Sequence, residues 1–306
     1  MTKKKELIWV YPPNNWVSNF NRTFVYGWCN PKAKLYISVE TLRAMSLRQI
    51  KIFPNGNFAQ TIKLPHKKNV IKLIQTLNRK KQIITRHVIA RKPVRLTKQS
   101  YKSDIGQVRL LRRHHVPPRN DKIIIIDPGH GGKEHGTHSP KGVPEKYFNL
   151  QIAKMLYKKL CMGLPRQTHN WKIYLTRSKD KFVSLKDRVE FAKKKQCNIF
   201  ISIHHNALPD DEDPLKHKGI GIYYTHDFVK PFAKKLLESI SKEGAYCNTP
   251  LKKYGIFTRD FAVTRPDFYH GVLIECGFLI HPEEAEQIMQ RRFQKKVVNG
   301  IVKAIS

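Results

Sequence analysis

The sequence predicts an α/β domain, with a mostly parallel central sheet flanked by helices, preceded by a small all-β, sandwich-like domain. Three observations lead there. Short, partly alternating β-rich runs separated by turn residues fill residues 1–95. From residue 121 onward, compact apolar strands alternate with helical stretches. Between the two lies a polar, basic, proline-punctuated segment, 96–120, with the character of a linker. A chain of 306 residues has room for this division, since domains run to about 100–200 residues each.

In the first domain the runs 23–29, 33–39, 49–53, 58–64, 70–77 and 82–90 are rich in β-branched and aromatic residues. Asn30-Pro31, Pro54-Asn-Gly56 and Pro65-His-Lys-Lys-Asn69 supply turns between several of them. Strands at this spacing make a sandwich or a barrel. In the second domain the strands are 123–126, 172–176, 198–203, 220–224 and 272–275. The helices between them are 145–160, 184–194, 228–242 and 283–305. The first of these sets Phe148, Ile152, Met155 and Leu156 on one apolar stripe. In sheets of this kind ligands bind beyond the carboxyl ends of the strands.

Charge narrows the partners. The chain has 58 Lys and Arg against 23 Asp and Glu, and the excess is uneven. Residues 1–120 hold 26 basic and 3 acidic side chains, with no acid between Glu40 and Asp104. A field of that sign attracts polyanions: nucleic acid, anionic membrane headgroups or acidic wall polymers. No RNP-like strand or zinc-finger spacing speaks for nucleic acid.

Five widely spaced cysteines make neither a disulfide framework nor a Cys-rich zinc site. Cys197 and Cys276 lie in apolar runs and are expected to be buried. No apolar run reaches the ~18–20 residues that span a bilayer. The apolar segment 7–11 stops at Pro12-Pro13, too short for the core of a secretory signal. The chain is therefore expected either to stay inside the cell or to have had its export signal lost or mis-assigned.

Three strands of the second domain end in chemistry. The first runs into Asp127-Pro-Gly-His130, the third ends Ser202-Ile-His-His-Asn206, and the last contains Glu275 between Ile274 and Cys276. Glu145 opens the helix that follows the Gly-rich loop. Two histidines and a carboxylate converging on one sheet edge make a three-ligand zinc set that leaves a coordination position open for water. A second carboxylate in a poorly solvated strand is what a general base needs. Each residue also has a plain structural alternative: His130 as a turn histidine, Glu145 as a first-turn helix acid, His204 or His205 as a strand-end surface residue. Strand alternation places Ser202 and His204 on one face and Ile203 and His205 on the other, so one histidine of the pair faces the site. Glu275 is the hardest to explain structurally, because an unpaired buried carboxylate is costly.

The same residues carry a resemblance. Ile125-Ile-Asp-Pro-Gly-His-Gly-Gly132, Glu145-Lys146 with Asn149, Leu175-Thr-Arg177 with Leu185 and Arg188, Ser202-Ile-His-His-Asn206, and Val272-Leu-Ile-Glu-Cys-Gly-Phe-Leu279 followed by Pro282-Glu-Glu284 occur in order. Together they resemble the zinc-dependent N-acetylmuramoyl-L-alanine amidases that trim bacterial peptidoglycan, over residues 121–306. The resemblance implies zinc ligands at His130, Glu145 and His204 and a catalytic glutamate at Glu275. It also implies Zn2+ as cofactor, peptidoglycan as substrate and a cell-envelope location, periplasmic or extracellular. Where many relatives have a Pro before the glutamate strand this chain has His270-Gly271, and where they often have Ser-Asn it has Ile280-His281. Both changes bear on loop shape. About 36 residues between Tyr224 and Phe261 leave little room for the inserted helix that occludes some relatives, so an open site is expected. More loosely, Gly27, Pro31-Lys-Ala-Lys-Leu35, Asn55-Gly-Asn-Phe58, Leu64 and Asn69-Val-Ile71 resemble the bacterial Ig-like domains attached to wall enzymes. Such a domain would hold the enzyme against anionic wall polymers or a membrane surface.

Two other readings use the same residues. A zinc carboxypeptidase acting on wall stem peptides needs the same two His and one Glu. A non-catalytic polyanion-binding protein with a retired hydrolase domain would explain the basic first domain, but a retired site usually loses a ligand and all four positions are present. Among lesser features, Asp210-Asp-Glu-Asp213 lacks the spacing of a calcium loop and reads as a solvated loop. Lys193-Lys-Lys195 suits a helix C-terminus. Arg177 and Arg188 have either a substrate-carboxylate or an ion-pair role, and His114, His115 and His169 read as surface residues.

Overall fold

The structure is a computed structural model, and it describes residues 7–40, 45–90, 122–163, 171–243 and 254–306. The linker expected at 96–120, Cys247 and the histidines at 114, 115 and 169 lie outside the described residues. The first domain contains β1 (Ile8–Tyr11), β2 (Trp16–Ser18), β3 (Arg22–Trp28), β4 (Lys34–Glu40), β5 (Met45–Ile50), β6 (Asn57–Lys63), β7 (Lys68–Leu77) and β8 (Lys80–Ala90). They form two sheets, ordered β1-β3-β6 and β2-β8-β7-β4-β5. Val25, Phe58, Leu35, Ile37, Ile71, Leu73 and Val88 are buried together between them, the single core of a sandwich. The β7–β8 hairpin turns through Asn78 and Arg79, both at positive φ (50° and 63°), the backbone that matches the twist of the flanking strands. The short β1 and β2 were not expected, because three or four residues beside Pro12 and Pro13 carry little alternation.

The second domain contains β9 (Lys122–Pro128), α1 (Glu145–Gly163), β10 (Trp171–Leu175), α2 (Leu185–Lys195), β11 (Ile199–Asn206), β12 (Gly221–Tyr224), α3 (Lys230–Lys242), β13 (Ile256–Thr258), β14 (His270–Phe278), α4 (Pro282–Met289) and α5 (Arg291–Ile305). Its sheet runs β10-β9-β11-β14-β12-β13. The strands β10, β9, β11 and β14 are parallel, and β12 joins β14 antiparallel, so the sheet is mixed at one side. The four isoleucines of β9 serve both faces. Ile124 and Ile126 pack under α1 with Phe148, Ile152 and Leu156; Ile123 and Ile125 pack with Ala192, Phe200 and Tyr269. A strand covered on both sides needs no polar alternation. Cys197 and Cys276 are buried free thiols.

The helix expected over 283–305 is two helices. Gln290 is extended (φ −81°, ψ 129°) and separates α4 from α5. No Gly or Pro marks the break. Buried Gln294 donates across it to the Ile288 carbonyl at 3.1 Å, and at the other end of α4 His281 Nδ1 accepts from the backbone N–H groups of Glu283 and Glu284. These bonds satisfy helix ends that would otherwise be orphaned.

The two domains share an apolar cluster. Phe24, Tyr26 and Ala59 of the sandwich pack with Phe278 and Ile280 of the second domain. Asn55 and Asn57 both donate to the Pro282 carbonyl, at 3.0 and 2.7 Å, and Tyr26 Oη donates to the His138 carbonyl at 3.0 Å. Asp210 corrects the solvated-loop reading. It is 8% exposed and accepts hydrogen bonds from Tyr11 Oη and from Trp16 Nε1 (2.9 Å). Its partners lie nearly 200 positions away, beyond the reach of local composition. Replacing Asp210 by Ala leaves the tyrosine and indole donors buried without an acceptor, and the expected loss is about 1–3 kcal/mol in urea denaturation of the full chain.

Candidate active site

The site is built where β9, β11 and β14 end. Asp127, the last acidic residue of β9, is buried and accepts from Thr176 Oγ1 (2.5 Å), Ser202 Oγ (2.8 Å) and the Arg188 guanidinium. Arg188 also donates to the carbonyls of Pro128 (3.0 Å) and His130 (2.9 Å). Arg177 donates to Pro128 (2.9 Å) and Gly129 (2.8 Å). Three consecutive carbonyls of the turn are therefore held by two guanidiniums. The structure gives Arg177 and Arg188 this use: they are 4% and 2% exposed, enclosed beneath the turn. So clamped, the turn keeps His130 at φ 58°, a left-handed conformation that a side-chain-bearing residue adopts only when its surroundings impose it.

Glu145 opens α1 and is 3% exposed. Its carboxylate accepts from Thr137 N (3.0 Å), Asn149 Nδ2 (2.9 Å) and His205 N (3.0 Å). His130 Nε2 lies 3.2 Å from Oε2, and His204 Nδ1 lies 3.2 Å from Oε1. Burial opposes ionisation of Glu145, but the hydrogen bonds and positive charge of the two histidines outweigh it and hold the carboxyl well below its usual range. The ligand atoms of His130, Glu145 and His204 lie within 4.8 Å of one another, a spacing that one metal ion can bridge. Two glycines leave the room: a Cβ on Gly129 would sit 2.2 Å from the His204 ring, and one on Gly136 would sit 2.3 Å from Glu145 Oε2.

His205 turns the other way. It is buried beside Phe148 with Nδ1 2.8 Å from Asn149 Oδ1, and burial lowers its pKa to about 4. Glu275 stands opposite His204 in the β11–β14 register. It lines the same cleft, yet its Oε2 is shielded and has no hydrogen-bond partner. Desolvation, with repulsion from Glu145, raises its carboxyl well above the usual range. The cleft measures about 600 Å³.

Sequence reasoning missed the apolar walls of the cleft, Leu185 and Phe261, which are 59% and 38% exposed. Large apolar side chains held at a cleft mouth have no signature in a linear pattern. It also gave no role to Asp127 or to Lys146. The Lys146 ammonium, nearly enclosed, donates to the Gly132 carbonyl at 2.7 Å and pairs with Asp180 at 2.8 Å, pinning the Gly-rich loop. In the stretch between Tyr224 and Phe261, α3 packs into the core through Leu236 and Ile240.

Comparison with known proteins adds an independent line. The family model described as N-acetylmuramoyl-L-alanine amidase matches residues 124–306. The N-acetylmuramoyl-L-alanine amidase LytC of Bacillus subtilis is 33% identical over 182 residues, covering 59% of this chain and 34% of LytC. The probable cell wall amidase LytH of Staphylococcus epidermidis is 31% identical over 187 residues, covering 60% of this chain and 57% of LytH. The match thus spans between a third and just over half of these relatives' own lengths. Among solved structures, an N-acetylmuramoyl-L-alanine amidase from Clostridium difficile 630 superposes with a TM-score of 0.54 at 32% identity, covering 61% of this chain and 96% of that one. The catalytic domain of CwlV from Bacillus (Paenibacillus) polymyxa gives 0.53 at 31% identity, covering 60% and 96%.

Two substitutions test the site's electrostatics. Arg188→Met strands Asp127 as a buried charge without its cation, and the expected loss is about 3–5 kcal/mol, read from denaturant midpoints. Glu275→Gln has the opposite sign. A carboxyl raised in the fold resists ionisation, so its charge opposes folding once the pH passes the unfolded value of about 4.3. In metal-free protein the amide is therefore expected to melt a few degrees higher than wild type at pH 8, with the difference vanishing near pH 4.

Proposed function

The chain belongs to the N-acetylmuramoyl-L-alanine amidase family, and on that premise we propose that it hydrolyses the amide between N-acetylmuramic acid and L-alanine in peptidoglycan, with Zn2+ held by His130, Glu145 and His204. The observation that carries this reading is the His130–Glu145–His204 group, half-buried histidines around a buried glutamate, facing Glu275 with its unpartnered Oε2 across adjacent strands. Two nitrogens and one carboxylate oxygen suit zinc, and the bare backbone at Gly129 and Gly136 lets the His204 ring and the Glu145 carboxylate pack close to it. Zinc in such a site supplies a Lewis acid that polarises a carbonyl and acidifies bound water.

The chain's own residues do the rest. Glu275 has the raised basicity to take a proton from the attacking water and the position to return it to the leaving amine. Hydrogen bonds from Thr137, Asn149 and His205 fix Glu145, so the ligand set needs no rearrangement. Leu185 and Phe261 give the cleft apolar lining beside these groups. The excess of cations in the first domain fits contact with anionic wall polymers, and the function places the protein in the cell envelope.

Digestion of purified peptidoglycan with mass analysis of the products tests the reaction. An amidase releases intact stem peptides with a free L-alanine amine, whereas release of single terminal amino acids would replace this reading with a carboxypeptidase. Chelation is expected to abolish release and added zinc to restore it. Glu275→Gln is expected to lower kcat by about 10²–10⁴ while zinc content stays near one per chain. Gly129→Ala pushes a methyl into the His204 ring, and the expected result is zinc binding weakened by about tenfold or more, measured by competition with a chromogenic chelator.

A further inference from the structure

A second concave surface lies between α1 and α5, well away from the cleft. It encloses about 540 Å³, with Met155 and Val298 among its lining residues. Lys158, Lys159, Arg291 and Lys295 surround it. After Glu145, α1 contains no acidic residue, and α5 contains none at all. None of the four cations forms a direct ion pair with an acid among the described residues; Lys159 donates to the amide of Asn299, which in turn donates to Glu243, so that carboxylate attracts Lys159 at longer range. Beside them Met162 is 75% exposed and Tyr157 37%.

Cations without a directly paired acid, set around exposed Met162 and Tyr157, suit a partner that is anionic outside and apolar within. A soluble polyanion would meet the cations and leave the methionines in water. We propose that this face rests on an anionic phospholipid bilayer, with Lys158, Lys159, Arg291 and Lys295 on the phosphates and Met162 entering the boundary between headgroups and acyl chains. The placement is consistent along the helices. Gln151 bonds Gln294 (3.0 Å) and Lys159 bonds Asn299, so α1 and α5 run in the same direction, away from the carboxyl edge of the sheet. Met162 lies about 25 Å along α1 from Glu145, at 1.5 Å per residue. None of the residues on this face lines the cleft.

Vesicle sedimentation of the full, zinc-loaded chain tests this without any substrate, so its outcome is separate from that of the amidase reading. Wild type is expected on phosphatidylglycerol-containing vesicles and not on pure phosphatidylcholine. Reversing the four groove cations to Glu is expected to weaken binding by at least about tenfold. Reversing Lys67, Lys68, Lys80 and Lys81, four exposed lysines of the first domain, is expected to weaken it less than about threefold. Met162→Ser is expected to bind at low salt and to dissociate at a salt concentration that wild type survives, because only the apolar contact escapes screening. Should the quadruple groove variant melt early, the milder Lys158→Gln/Lys295→Gln pair is expected to preserve the ordering. Equal losses in the two quadruple variants would overturn the proposal in favour of net charge alone. So would a Met162→Ser variant as salt-resistant as wild type, or binding to soluble polyphosphate as tight as to the vesicles.

Discussion

The buried pair between Asp127 and Arg188 is the constraint on which the carboxyl edge of the second domain depends. An isolated charge in that position would be costly, and an ion pair is tolerated there only when its remaining hydrogen-bonding capacity is used. Here it is. Asp127 takes two hydroxyl donors from neighbouring strands, and Arg188 spends its other N–H groups on the carbonyls of the turn and of Val183. The result is a polar knot that joins β9, β11 and the start of α2 and fixes the backbone conformation of His130. Arg177 extends the knot to Gly129 and to the start of α1. The His130, Glu145 and His204 group therefore stands on a frame of charge, with the apolar core behind it.

Much of this could be read before the structure. Four consecutive isoleucines announce a strand buried on both faces, and the Asp-Pro-Gly-His turn that follows announces its carboxyl end. The placement of His204 and His205 on opposite faces follows from strand periodicity alone, and the structure sets one at the cleft and the other against Phe148. Residues less easily read are those whose meaning lies in a distant partner. Asp210 resembled a solvated acid because its donors come from the other end of the chain. Arg177 and Arg188 could be substrate contacts or structural ones until the carbonyls beneath them were seen. The break at Gln290 is bridged by the Gln294 side chain, with no local helix breaker to mark it. β13 is three residues long, too short for any pattern to rise above its surroundings.

Charge is distributed with a consistent logic. The cleft gathers acids, Glu145 and Glu275, so close that each raises the cost of ionising the other, and the histidines resolve the conflict in favour of Glu145. One carboxylate is thereby kept ionised and the other kept basic, from nearly the same sequence chemistry. Cations dominate elsewhere, in the sandwich and on the outer side of α1 and α5.

The shared cluster of Phe24, Tyr26, Phe278 and Ile280, with Asp210 capped by two residues of the sandwich, bears on how such a chain can change over time. A module held by a flexible tether can be exchanged for another without disturbing its neighbour. Here the seam contains aromatic rings from both sides and a carboxylate whose donors belong to the other side. Tyr26 also reaches the His138 carbonyl, on the loop that separates His130 from Glu145. An exchange of the sandwich would have to bring its own tyrosines and asparagines to the same seam. A substitution at the seam therefore acts on both halves at once.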